Sequence, residues 1–245
     1  MKGVILRIIP QARFVDLSHD VPAQDLHTAN YYLMCSYRFF PKNTVFLCVI
    51  DPSVGSERRP IIVTTDRYYF VAPDNGVLSC ILEKENSFHV FEIRERHFFL
   101  DPVSQTFHGR DIFAPVAARL SRGIEPHKFG PEIHNPVRLD LPRVQRLSEH
   151  KFVGAILHID RFGNLVSNFP YAEIERVAEK VNLAFHFRIG DQEITQYQTR
   201  YCNGNEGRIF AISGSSGYIE FSVYKGSAAK TCGALRGDVI HLEFC

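Results

Sequence analysis

The chain has 245 residues, of which 45% are hydrophobic and 22% charged, and its 28 Lys and Arg against 27 Asp and Glu leave a net charge of +1. These proportions are typical of a soluble globular protein with one large or two ordinary domains, and they exclude a disordered or collagen-like chain. A near-neutral balance provides no general attraction for nucleic acid or an anionic membrane, so we expect neither as a partner. Any ligand must be recognised by a local site.

The cysteines and the apolar runs predict a cytoplasmic location. Six cysteines are spread over the whole length without a Cys-x-x-Cys pair, which favours reduced, structural thiols in a reducing compartment. No apolar run reaches the roughly 20 residues of a membrane-spanning helix. The start does not resemble a signal peptide, because Pro10 interrupts a short apolar stretch.

The first part of the chain, residues 1–145, is predicted to be an α/β domain with a central mixed sheet flanked by helices. The continuous apolar run 43–50 indicates a strand that is covered on both faces. Further strands are predicted at 13–17, 61–65, 68–72 and 88–93, and helices at 25–37 and 111–122.

A second domain, residues 152–245, is predicted to be an antiparallel β-barrel. Its β-type runs are separated by Gly and Asn turns, and they lie at 153–159, 183–189, 208–212, 218–224 and 239–244. One helix is expected at 171–180. The boundary falls in 130–150, a stretch with three prolines and scattered charges.

A polar cluster directly follows the buried strand that ends at Ile50. It begins with Asp51, and the tight loop formed by Pro52 and Gly55 can bring Arg58 back towards that carboxylate. Ligands of α/β sheets bind outside the carboxyl ends of strands, so Asp51 is well placed for a site. A turn with a solvated ion pair is the alternative.

A second cluster, residues 106–111, precedes the helix predicted at 111–122. His108 can titrate near neutral pH beside the amides of a helix start, although a structural histidine is the alternative. Two further polar clusters lie at 72–76 and 159–164, and the default prediction for both is a turn. In the latter, the aromatic ring of Phe162 can stack on a flat ligand.

Other site chemistries fit less well. Asp16, His19, Asp20, Asp25 and His27 are metal-type ligands, but their spacing matches no zinc signature. The segment 214–217 is not a nucleophile elbow, because no helix follows it. Phosphate-binding and dinucleotide-binding glycine loops are absent from the sequence.

Six motifs in order resemble those of the S-adenosyl-L-methionine hydrolase family, the S-adenosyl-L-methionine hydroxide adenosyltransferases, which are related to fluorinating and chlorinating adenosyltransferases. The motifs are Asp16-Leu-Ser-His19, Phe40-Pro41, Asp51-Pro-Ser-Val-Gly55 with Arg58, Ala72-Pro-Asp-Asn-Gly76, Thr106-Phe-His-Gly-Arg-Asp111 and Ile159-Asp-Arg-Phe-Gly-Asn164. The resemblance implies hydrolysis of S-adenosyl-L-methionine to adenosine and L-methionine, without a metal or a cofactor. It also implies a homotrimer whose substrate lies between the first domain of one subunit and the second domain of its neighbour.

The resemblance also implies roles for Asp51, Arg58 and His108, which match the set that handles the attacking water. We expect His108 and Asp51 to accept or orient the water protons, and Arg58 to stabilise negative charge on the oxygen. The acidic residue at position 51 favours water over halide as the nucleophile. Phe107 and the Gly109 amide are expected to form the wall behind the water.

In the second domain, the resemblance assigns Asp160 to the methionine ammonium, Asn164 to the adenine edge and Ser215 to the methionine carboxylate. Family members carry a strand and a ribose-binding Thr-Asp-Phe-Gly loop before the segment that begins here at Met1. We therefore expect the sequence to be one strand and one loop short. If the protein itself lacks them, a non-catalytic nucleoside-binding protein and a trimer with a vestigial site are the alternatives.

Overall fold

Two separate β-sheets organise the chain. The computed structural model describes residues 1–181 and 184–245, which divide into two compact units, Met1–Leu139 and Asp140–Cys245. The first unit carries a five-stranded mixed sheet with helices, and the second a nine-stranded sheet. The protein therefore has a mixed α/β fold, as the sequence predicts.

The sheet of the first unit has the order β1-β3-β2-β4-β5. Its strands are β1 (Val45–Leu47), β2 (Pro60–Thr65), β3 (Tyr69–Pro73), β4 (Phe88–Glu92) and β5 (Glu132–Ile133). β1 runs parallel to β3, and the other neighbours are antiparallel. Side chains alternate between the two faces, so that Ile61 and Val63 enter one apolar cluster and Ile62 enters another. The central strands are thus buried on both faces.

Three helices cover those faces: α2 (Leu26–Ser36), α3 (Ser79–Lys84) and α4 (Ala114–Ser121). The first helix, α1 (Lys2–Ile8), packs on α4 through Ile5. Asp25 caps α2, because its Oδ1 accepts a hydrogen bond of 3.0 Å from the Thr28 amide. Residues of α2 and α3 pack into one cluster, and residues of α4 into the other. The predicted helix at 25–37 is confirmed, with a short 3-10 turn at Tyr37–Phe39.

The predicted helix at 111–122 begins earlier than its pattern indicates. A π-helical turn, Gly109–Phe113, directly precedes α4. Pro115 lies in the first turn of α4, where its missing N–H does least harm. The His108 loop therefore leads directly into a helix, as predicted.

The second unit contains strands β6 to β14 and two helices. The strands are β6 (Gln145–Arg146), β7 (Lys151–Ile159), β8 (Leu165–Pro170), β9 (Phe185–Ile189), β10 (Gln192–Ile194), β11 (Tyr197–Gln198), β12 (Ile209–Ser213), β13 (Tyr218–Val223) and β14 (Val239–Phe244). The helices are α5 (Tyr171–Val181) and α6 (Ala228–Cys232). The sheet order is β10-β9-β14-β7-β8-β13-β12-β11, with β6 beside β7, and all pairs are antiparallel except β11 with β12. Leu183, the start of one predicted strand, lies outside the described residues.

The strand predicted at 13–17 is wrong. This segment has no regular structure, and Phe14, Val15 and Leu17 are 37%, 71% and 40% exposed. A strand is stable only when a neighbour pairs with its backbone, and none of the described strands pairs with 13–17. The apolar run 43–50 likewise forms a strand only over its centre, β1.

All six cysteines are free. Burial raises the pKa of the Cys48 thiol to about 12, so this side chain stays protonated and behaves as a small apolar group. In the part of the chain that the structure describes, no helix has the length and hydropathy needed to cross a membrane.

A substitution at Gly154 in β7 tests how closely the side chains of the second unit pack against its backbone. A Cβ at this position would lie 2.3 Å from Asn168 Oδ1 and 2.6 Å from the Phe169 ring. We expect Gly154→Ala to lower the free energy of unfolding by about 1–3 kcal/mol, measured by urea denaturation. Gly3→Ala is the control, because a Cβ there meets nothing within 4 Å. Equal midpoints for Gly154→Ala and the wild type would contradict the packing.

Candidate active site

Three side chains from two loops meet in the first unit. Arg58 Nε donates a hydrogen bond of 2.9 Å to Asp51 Oδ1, and Arg58 Nη2 donates to Asp51 Oδ2. The same Nη2 lies 2.8 Å from His108 Nδ1. Asp51 follows β1, Arg58 precedes β2, and His108 precedes the π-helical turn. The structure thus brings together the three residues that the motifs single out.

This cluster is largely withdrawn from water. The side chains of Arg58 and Asp51 are 7% and 6% exposed, and His108 is 9% exposed. The Arg58 guanidinium also lies over the ring of Phe113, 5.2 Å from its centroid. Burial strengthens the attraction between the charges, and each charge is tolerated because it is paired. The alternative of a solvated ion pair is therefore wrong.

The hydrogen bonds decide where the His108 proton lies. A guanidinium has donors only, so Nδ1 must accept the hydrogen bond from Arg58 and the ring proton of neutral His108 is on Nε2. Burial, and then the positive charge of Arg58, lower the pKa of His108 below its ordinary value of 6.5, while Asp51 and Asp111 act in the opposite direction. His108 is thus a neutral imidazole with Nε2–H as its donor.

The neighbouring residues hold the His108 loop. Asp111 is 1% exposed and accepts hydrogen bonds from Arg110 Nε at 2.6 Å and from the Ser104 amide at 2.9 Å. Phe107 is 45% exposed, and its ring lies 5.0 Å from the Arg110 guanidinium. A Cβ at Gly109 would lie 3.3 Å from Val49 Cγ1, so a side chain there would crowd the segment that connects β1 to Asp51.

In the second unit, Asp160 and Asn164 lie in one tight loop and bond to each other. Asp160 Oδ1 accepts from the amides of Phe162 and Asn164 at 2.8 and 2.9 Å, and Oδ2 accepts from Asn164 Nδ2 at 2.8 Å. Gly163 has φ +85, the left-handed region that favours glycine. Asp160 therefore shapes the loop: its Oδ1 already accepts two hydrogen bonds, whereas Oδ2 accepts one and keeps a lone pair for a ligand.

The remaining predicted binding residues are accessible. Phe162 is 64% exposed at the tip of this loop. Ser215 is exposed in the turn between β12 and β13, which Gly214 closes by donating to the Tyr218 carbonyl at 2.9 Å. The ligand contacts of both residues stay predictions.

The sequence gives little sign of a buried carboxylate beneath that turn. Glu220 is 7% exposed and accepts a hydrogen bond of 2.8 Å from Tyr201 Oη. Burial raises the pKa of Glu220, and the Asp160 charge raises it further. A Cβ at Gly214 would lie 1.9 Å from Glu220 Oε1. Alternation in β13 puts Glu220 on the face opposite Ile219 and Phe221, which belong to the core cluster, so the local pattern does not signal its burial.

The described residues give no support to a metal site. Asp16 is paired with Lys2 at 2.6 Å and with His19 at 3.2 Å. Among residues 1–181 and 184–245, no three His, Cys, Asp or Glu side chains come together in a way that would hold a metal ion.

Comparison with known proteins gives the same relationship for both units. The family model described as the SAM hydroxide adenosyltransferase N-terminal domain matches residues 1–130, and the model of the C-terminal domain of that family matches residues 154–241. The chain is 31% identical to the (R)-S-adenosyl-L-methionine hydrolase of Thermus thermophilus, over 99% of this chain and 92% of the relative. It is 30% identical to the (R)-S-adenosyl-L-methionine hydrolase of Methanocaldococcus jannaschii, over 94% of this chain and 84% of the relative.

The fold of this chain is also similar to that of a solved structure. The crystal structure of an uncharacterized conserved protein from Thermotoga maritima superimposes with a TM-score of 0.89 at 33% identity. The match covers 98% of this chain and 92% of that one.

A double-mutant cycle on Asp51 and Arg58 tests the buried pair. Asp51→Ala and Arg58→Ala should each lower the free energy of unfolding by about 3–5 kcal/mol, because each leaves an unpaired buried charge. The double variant should lose clearly less than the sum, measured by urea denaturation. The exposed pair Lys151–Glu243, with N···O 2.9 Å, is the control and should show a much smaller coupling. Additive losses at Asp51 and Arg58 would contradict the pairing.

Proposed function

The chain belongs to the SAM hydroxide adenosyltransferase family, and we propose that it hydrolyses S-adenosyl-L-methionine to adenosine and L-methionine. The observation that carries this proposal is the buried Asp51–Arg58–His108 cluster beyond the carboxyl end of the edge strand β1. The relatives are named hydrolases, which favours turnover over binding alone. Asp51 provides an acceptor for water protons, whereas a halide brings no proton that needs one.

The substrate provides its own leaving group. The water oxygen forms a bond to the ribose 5′ carbon while the bond from that carbon to the sulfonium breaks, and its electron pair neutralises the sulfur as the thioether of methionine. The departing side needs no acid, and one proton of the water is finally released to solvent. The protein therefore has to hold the water in line, at about 3–3.5 Å from the carbon, and to accept its proton.

Asp51 is the acceptor that fits this task. Arg58 occupies one lone pair on each carboxylate oxygen, and each oxygen keeps a second lone pair for a water proton. Arg58 fixes the orientation of the carboxylate by a two-point contact, which a lysine would not reproduce.

His108 orients the water instead of removing its proton. Its Nδ1 is occupied by Arg58, so only Nε2 is available to the water, and Nε2 carries the proton. The hydrogen bond from Nε2–H to the water oxygen leaves the water protons pointing elsewhere, towards Asp51. Of the two roles that the sequence allows for His108, the geometry favours orientation over acceptance.

The second unit is proposed to bind the two ends of the substrate. The free lone pair on Asp160 Oδ2 suits the methionine ammonium, Asn164 suits the adenine edge, and Ser215 suits the methionine carboxylate. The exposed ring of Phe162 suits stacking on the adenine. Phe107 and the Gly109 amide are proposed to line the water side of the site.

We also propose a homotrimer, a cytoplasmic location, no requirement for a cofactor or metal, and closure of the nine-stranded sheet into a barrel. These remain predictions from the family resemblance and the sequence. Sedimentation equilibrium of the purified chain tests the trimer, and turnover after chelator treatment tests the metal.

Substitutions in the cluster test the proposed roles. Asp51→Asn, Arg58→Ala and His108→Ala should each lower kcat for adenosine formation by about 100-fold or more, measured by chromatography of adenosine and methionine. His108→Gln should retain activity within about tenfold, because its amide can donate from near the Nε2 position. His89→Ala, at an exposed histidine, is the control. Near-native turnover in the first three variants would contradict the mechanism, and an inactive His108→Gln would contradict the donor role.

The pH dependence follows from the neutral state of His108. Protonation would place a proton on Nδ1, facing the Arg58 guanidinium, and would break the hydrogen bond between them. Because burial and Arg58 lower the His108 pKa, the midpoint of the acid limb of kcat/KM that reports His108 should lie below pH 6.5. His108→Gln should lack this component of the acid limb. An acid limb centred above pH 6.5 would contradict the arrangement.

A further inference from the structure

We infer that Asn75 and Asp74, in the turn that follows β3, are positioning residues for Asp51 and Arg58. The inference rests on the proposed function, because it concerns the placement of the water-handling pair. In the described part of the chain, no hydrogen bond joins either residue to that pair. Each instead holds the residue next to one of its members, and the two contacts come from adjacent positions of one rigid turn.

Asn75 holds the backbone that carries Asp51. Its Nδ2 donates a hydrogen bond of 2.9 Å to the carbonyl of Ile50, the residue directly before Asp51. The strand pairing of β1 ends at Leu47, and beyond it the Cys48 amide makes one further bond to Val71. Ile50 is thus fixed by a side-chain amide at a point where the sheet ladder has ended.

Asp74 holds the residue next to Arg58. Its carboxylate is 2% exposed and accepts from Arg59 Nε at 2.9 Å and from Arg59 Nη2. The Asp74 amide also donates to the Arg59 carbonyl at 2.8 Å. Arg59 is therefore fixed at both its backbone and its guanidinium, which in turn bonds Asn135 Oδ1 at 2.9 Å. The Cα of Arg58 is one peptide away from this anchor.

The loop between Asp51 and Arg58 belongs to no strand or helix. Residues 52–57 are turns and bends and are mostly exposed. The separation of the two side chains is thus set at the ends of the loop, at Ile50 and Arg59, and one turn holds both ends. Since a misplacement of about 1 Å in a reacting group can cost 100-fold in rate, this turn governs kcat.

Asn30 offers a matched control for Asn75. Its Nδ2 donates a hydrogen bond of 3.0 Å to the carbonyl of Val77, two residues after Asn75, and Asn30 is 3% exposed. Asn30→Ala and Asn75→Ala therefore each remove one side-chain amide that bonds a backbone carbonyl. Only the bond of Asn75 is to the segment that carries Asp51.

The experiment compares kcat, KM, adenosine Kd and Tm of the wild type, Asn75→Ala and Asn30→Ala, with kinetics measured well below every Tm. We expect kcat to fall about 10- to 100-fold in Asn75→Ala, with KM and Kd within about twofold of the wild type. Asn30→Ala should lower Tm at least as much and leave kcat unchanged. Asp74→Asn, which keeps the shape but removes the charge that holds Arg59, should repeat the fall in kcat.

Three outcomes overturn the inference. Wild-type kcat in Asn75→Ala would show that the anchor does not matter for the reaction. Equal losses of kcat in Asn75→Ala and Asn30→Ala would show general loosening instead of positioning. Absence of adenosine formation by the wild type would overturn the proposed function and this inference together, whereas the first two outcomes leave the proposed function intact.

Discussion

A single buried guanidinium, that of Arg58, sets the arrangement of the candidate active site. It bonds both oxygens of Asp51 and one nitrogen of His108, and it has no acceptor of its own. Its presence therefore orients the carboxylate and selects the tautomer of the histidine. A charge with this little exposure is stable only with its partners in place, so the loops that carry Asp51 and His108 must both reach it.

The chain meets that requirement with rigid elements on both sides of the guanidinium. The π-helical turn at Gly109–Phe113 begins directly after His108 and is secured by the buried Asp111. Extra residues in a helical turn redirect the side chains around them, and such turns occur often at functional sites. On the other side, Asp74 and Asn75 hold Arg59 and Ile50. The exposed loop 52–57 is thus held at both of its ends by residues outside the loop.

In the second unit, the main structural feature is a turn that exposes polar groups. The Asp160 carboxylate accepts hydrogen bonds from two backbone amides of its own loop without a ligand. It also accepts one from the side chain of Asn164. Glu220 lies close under the neighbouring turn, and its raised pKa reflects burial together with the Asp160 charge. A cationic ligand group at Asp160 would meet a preformed acceptor, because the loop does not have to rearrange in order to expose one.

Much of the fold could be predicted locally. β2, β3 and the helix capped by Asp25 were predicted close to their observed positions, because turn residues and apolar alternation mark their ends. The segment 13–17 has the same β-type pattern and forms no strand, since pairing depends on a neighbour that a local pattern does not contain. For the same reason the apolar run 43–50 gives a strand of only three residues.

The amino-acid sequence by itself determined which chemical groups are present and in what order: Asp51, Arg58 and His108 each follow or precede a recognisable element. Only the tertiary structure decided the proton position on His108 and the link from Asn75 to Ile50. These depend on hydrogen bonds between residues far apart in the chain, such as His108 and Arg58, which are 50 positions apart. Local propensity does not encode such contacts; they form when the packed sheet brings its strand ends together.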